Sequence, residues 1–85
     1  MDLRRRAEQY RKDVLLVKAR VIVGRIHEGV LEASSNGLGM YRHTEEIPSE
    51  LVVCVEKECR RVFAGCTVGL KRDVFGVVQG VEITW

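Results

Sequence analysis

The chain has 85 residues, 46% of them hydrophobic and 31% charged. That length supplies one modest core, and the apolar fraction is too high for a disordered chain. A net charge of +2 is too small for a general nucleic-acid binder, and no apolar run is long enough to span a membrane. No signal-peptide pattern is visible, so the expected compartment is the cytosol, a cytoplasmic protein.

Charge is unevenly spread: within residues 1–20, seven Lys or Arg stand against three Asp or Glu. A local basic excess suits a small anionic partner better than a long duplex. Cys54, Cys59 and Cys66 are odd in number and lack a CxxC spacing. They read as reduced core thiols, and with His27 and His43 far apart no metal and no cofactor is expected.

Residues 1–12 read as an N-terminal basic arm or short helix, with Leu3, Ala7 and Tyr10 on one face. From Val14, the series Leu15, Val17, Ala19, Val21 and Val23 alternates with Leu16, Lys18, Arg20, Ile22 and Gly24, which is strand periodicity. A rival reading runs one helix from Leu3 to Val21 in heptad steps through Ala7, Tyr10, Val14 and Val17. The β-branched run at 21–23, Gly24 and Gly29 oppose it. Residues 25–33 read as a second strand, with His27, Gly29, Leu31 and Ala33 facing one way.

A turn follows at Glu32-Ala33-Ser34-Ser35-Asn36-Gly37-Leu38-Gly39. Its Gly, Ser and Asn residues suit a tight bend whose N–H groups converge on an anion. A third strand is expected to begin at Leu38–Tyr41, and 42–49 reads as a polar loop around Pro48. Residues 49–64 read two ways. Ser49 can cap a helix to Phe63 with Leu51, Val55, Cys59 and Val62 on one face, or Leu-Val-Val-Cys-Val forms a strand. Val62 to Leu70 alternates, Lys71-Arg72-Asp73 interrupts, and Val74 to Trp85 resumes with Val81, Ile83 and Trp85 in phase, which predicts a hairpin. Valine, about one residue in six, favours strands. The expected fold is therefore mainly β: a basic arm at 1–12, then a small six-stranded antiparallel β-barrel at 13–85, closed so that no strand edge is left open.

The order of these features resembles the PilZ domain, the bacterial receptor module for cyclic di-GMP. The best-matching stretches are Gly29 to Met40 and Phe75 to Ile83. The resemblance implies a ligand site made of Arg-x-x-x-Arg in the arm and Asp/Asn-x-Ser-x-x-Gly in the turn. Ser34 and Gly37 match the second motif, with Glu32 in place of Asp or Asn. Arg11 stands near the second arginine position, but Ala7 occupies the first, leaving Arg6, with Arg5 and Arg4 behind it, as the nearest candidate. Arginine pairs with phosphate, reads guanine bidentately and stacks on the base, while a carboxylate accepts from guanine N–H groups.

The implied function is cyclic di-GMP binding by a stand-alone module through Arg5, Arg6, Arg11, Glu32, Ser34 and Gly37, relayed to an unidentified effector protein. The alternative is a degenerate domain that has lost the nucleotide and works as a protein–protein adaptor. A third reading is a small nucleic-acid-binding barrel, weakened by the few aromatics available to stack on bases. No nucleophile–base set is visible, so the expected role is binding without catalysis, and a homodimer through the arm or a strand edge stays open.

Overall fold

A computed structural model describes residues 3–85, with the side chains of Arg4 and Arg5 outside the described set. The elements run α1 (Leu3–Ser35), β1 (Met40–Ile47), a 3-10 turn (Ser49–Leu51), α2 (Val52–Val62), β2 (Thr67–Arg72) and β3 (Val78–Thr84). The three strands form one antiparallel sheet in the order β1-β3-β2.

This overturns the expected six-stranded barrel. Among the described residues there are three strands in an open sheet, and the first two expected strands lie inside one 33-residue helix. That helix runs without a break across the expected boundary between residues 12 and 13. The physical reason is the near-continuous apolar run Val14-Leu15-Leu16-Val17, continued by Val21-Ile22-Val23. Such a run satisfies a period of two and a period of 3.6 at once, so packing decides between them. Ala19, Ile22, Val23 and Ile26 are buried together against Leu51, Val55, Cys59 and Phe63 and against Val68, Val81 and Ile83 of the sheet. Burial on that scale outweighs the weak strand preference of valine and isoleucine.

The ambiguity at 49–64 resolves as helix. Leu51, Val55 and Cys59 face the core, while Val62 is partly exposed. The expected Ser49 cap does not form: neither the 3-10 turn nor α2 has a side-chain cap. The β2–β3 hairpin is present as expected, with Val81 and Ile83 fully buried. The polar stretch read as a loop after Tyr41 is instead β1, whose residues alternate between exposed and half-buried.

Cross-strand register assigns the faces. Tyr41 and Val68 flank Ile83, and His43 and Leu70 flank Val81, all toward the helices. Arg42 and Gly69 flank Glu82 on the other face, where Glu82 accepts from Arg42 at 3.1 Å and lies 3.7 Å from the Lys71 ammonium. The domain is thus two layers, helices on one side and a polar sheet face on the other.

Two glycines in α1 have different reasons to be there. A methyl on Gly29 would collide with the Tyr41 ring, so this glycine lets β1 approach the helix. Gly24 is exposed, with nothing near the position of a methyl.

Candidate functional site

Two apolar stripes run along α1. The first, Leu15, Ala19, Ile22, Val23, Ile26 and Val30, packs into the core. The second is the heptad series Leu3, Ala7, Tyr10, Val14, Val17 and Val21. At 100° per residue it lies roughly 150° around the helix from the first, turned away from the sheet. Most of its members stay in solvent: Leu3 is 77% exposed, Tyr10 73%, Val17 61% and Val21 52%, while Val14 is half-buried. The seam ends where Gly24, Arg25 and Glu28 replace apolar residues.

The N-terminal half of α1 also overhangs the body. Ala19 is the first fully buried residue of the helix, so residues 3–14 project about 17 Å beyond the packed part. On one side of Val14 lies a groove of about 570 Å³ lined by Ala7, Tyr10, Arg11, Leu15 and Lys18, with Glu50 of the 3-10 turn at its far wall. On the other side, Tyr10, Asp13, Val14, Val17 and Lys18 border a shallow, open and mostly apolar hollow of about 460 Å³. A ridge of apolar side chains between two hollows is a surface that a second helix can pack against.

The flanks of the seam are basic. Arg11 and Lys18 border one side, and Arg6, Asp13 and Arg20 the other. Arg20 is engaged with Glu58 of α2 at 3.7 Å. Among the described residues, Arg6, Arg11 and Lys18 have no carboxylate partner. No family model, curated protein or solved structure matches the chain.

The residues expected to bind a nucleotide are not gathered. Arg6 and Arg11 lie near the start of α1, and Glu32 and Ser34 lie in its last turn. Arg6 and Glu32 are about 39 Å apart along the axis. The side chain of Arg5 lies outside the described residues.

Gly37, at φ +78°, closes the helix. Leu38 N–H donates to Ala33 O at 3.0 Å and Gly37 N–H to Ser34 O at 3.0 Å, the paired bonds of a Schellman cap. Asn36 N–H points back to Glu32 O and Ala33 O. The N–H groups of Asn36, Gly37 and Leu38 are therefore spent on the helix's own carbonyls rather than on an anion. This end of a helix also carries roughly half a negative charge, which repels phosphate.

A polar ladder on β1 has no counterpart in the sequence reading. Tyr41 Oη is 3.1 Å from His43 Nδ1, and His43 Nε2 is 3.4 Å from Glu45 Oε2. Arg25 of α1 donates to Glu45 Oε1 at 2.7 Å. The signal was the i, i+2, i+4 spacing of Tyr41, His43 and Glu45, masked because these inward positions are not aliphatic. The ladder sits between helix and strand, away from every cavity described above, and ties β1 to α1.

The cysteines lie in or beside the core. Cys59 is fully buried, and Cys54 and Cys66 are half-buried against the same cluster. Burial pushes the Cys59 thiol up to about 11, with the charges of Glu58 and Glu56 adding to it. Among the described residues no group of three His, Cys, Asp or Glu is placed to hold a metal ion, and no helix is long and apolar enough to cross a membrane.

Proposed function

We propose that this chain is a protein–protein adaptor that holds a helical segment of a partner along the free half of α1. One observation carries the reading: a heptad apolar seam from Leu3 to Val21 faces away from the core, on a half-helix that overhangs the rest of the molecule. Scattered exposed apolar residues are ordinary on a protein surface, but a continuous seam about 27 Å long is not. Cyclic di-GMP binding by Arg6, Arg11, Glu32 and Ser34 would need one ligand to span the helix from end to end, whereas a helical partner needs only the seam.

The test is hydrogen exchange on a dilute monomer. About three helical turns with few tertiary contacts are marginal in water. Amides 3–14 are expected to exchange rapidly while those of 19–33 approach the protection of the whole domain. Equal protection of both segments would mean that the chain itself covers the seam, and the adaptor reading would fall.

A further inference from the structure

We infer that the partner segment is an acidic amphipathic helix of another protein rather than a second copy of this chain. The inference rests on the adaptor reading and adds the chemistry of the occupant. It follows from the charges that border the seam.

In heptad terms Ala7, Val14 and Val21 take one core position and Leu3, Tyr10 and Val17 the other. Arg11 and Lys18 then fall on one flank, Arg6 and Asp13 on the opposite flank. Arg20 and Arg25 continue the flanks but are already neutralised by Glu58 and Glu45.

Two copies side by side make poor use of these charges. In a parallel pair, Arg6 of one copy faces Arg11 of the other, while Asp13 faces Lys18. Repulsion and attraction cancel. In an antiparallel pair like flanks meet, so Arg11 and Lys18 of one copy face the same cations of the other while Arg6 faces Asp13, and attraction offsets only part of the repulsion. A helix carrying Glu or Asp on both flanks instead meets Arg6, Arg11 and Lys18 with opposite charge and is repelled at Asp13 and, across the groove, at Glu50. Charge of this kind selects the partner and its register more than it adds affinity. The apolar ridge of the partner would lie over Val14, between the two concavities that flank it.

The probes are two synthetic helices of about three heptads, each with Val and Leu along its seam. One carries Glu on both flanks and the other Lys. Binding to the full chain is followed by fluorescence anisotropy of the labelled peptide, and the mass of the chain alone by sedimentation equilibrium. We expect a monomer that binds the Glu peptide on the order of tenfold more tightly than the Lys peptide at low salt, with the gap narrowing as salt rises. The charge-reversed variant Arg11→Glu, Lys18→Glu should exchange the preference. Val17→Glu should abolish binding of both peptides without changing the thermal midpoint, since Val17 is exposed.

Equal binding of the two peptides would overturn the acidic partner while leaving the adaptor reading intact. A dimer that Val17→Glu dissociates would replace the partner with a second copy. Failure of both peptides to bind would overturn the inference, and hydrogen exchange on the monomer would still judge the adaptor reading separately. Tight binding of single-stranded RNA, insensitive to Val17→Glu, would reassign the cations to phosphate.

Discussion

The two halves of α1 are one continuous helix with opposite dependence on the rest of the fold. From Ala19 to Ala33 the helix is held by the sheet and α2, by the Arg20–Glu58 and Arg25–Glu45 ion pairs, and by Tyr41 lying across Gly29. From Leu3 to Val14 it is joined to the body mainly through its own backbone, yet its sequence is no less apolar on one face. The difference teaches that a helical stripe reports what a residue can bury against, and does not say whether the partner surface lies in the same chain.

The largest contrast should come from one substitution in each half. Ile26→Ala opens a cavity at a fully buried site and is expected to cost about 2–5 kcal/mol in urea denaturation. Val17→Glu, on the exposed seam, should change stability by less than about 0.5 kcal/mol. Comparable losses at the two sites would erase the division of the helix.

Next in size is Gly29→Ala. Its methyl meets the Tyr41 ring, so about 1–3 kcal/mol should be lost to overpacking. Combining it with Tyr41→Val should remove most of that cost, and a simply additive double variant would show that the ring is not what excludes the methyl.

Gly24→Ala reverses the sign in the same helix. Nothing surrounds that position, and replacing an exposed helical glycine should raise stability by about 0.5–1 kcal/mol. A loss would mean that the surface near Gly24 is covered in solution.

The smallest effect is a pH dependence of the packed half. The hydrogen bond from Arg61 holds the Glu58 carboxyl below its ordinary value of 4.5, against an opposite pull from burial, and the charges of Arg61 and Arg20 add to the lowering. A depressed carboxylate stabilises the fold above its ordinary value, and that contribution is lost as pH falls through the lower folded-state value. Acid below about pH 4.5 should therefore lower the stability of the domain, chiefly through the Arg61–Glu58 pair within α2 and to a smaller extent through Arg20 of α1. Glu58→Gln should flatten this part of the pH–stability curve, and an unchanged curve would show that the Arg20–Glu58–Arg61 cluster carries no such dependence. The result would also show whether the ion pair contributes measurably to the anchoring of α1.

How much was legible varies by segment. The β2–β3 hairpin could be read because Val81 and Ile83 alternate between turn residues and both are buried. Leu51, Val55 and Cys59 declared the α2 face at helical spacing, although a weak helix-forming run obscured it. β1 was hidden because its inward positions are Tyr41, His43 and Glu45, of which Arg25 from a distant part of the chain pairs Glu45 Oε1 while buried His43 Nε2 and Glu45 Oε2 make no hydrogen bond among the described residues. Gly29 was misleading for the same reason: a glycine fitted to the ring of Tyr41 looks like a helix breaker until the ring is in place.

The candidate seam was written in the heptad series from Leu3 to Val21, and the basic character of its flanks was equally plain. The sequence alone determined one modest core, the hairpin, a helix-or-strand alternative at 49–64 and the rival strand and heptad periodicities that overlap at residues 14–21. Only the tertiary structure decided that residues 14–33 form helix rather than two strands, that Gly37 caps that helix, and which apolar stripe is left in solvent. The reason is physical. Local preferences differ by fractions of a kcal/mol per residue, whereas burying Ala19, Ile22, Val23 and Ile26 against α2 and the sheet is a cooperative gain that no local window contains.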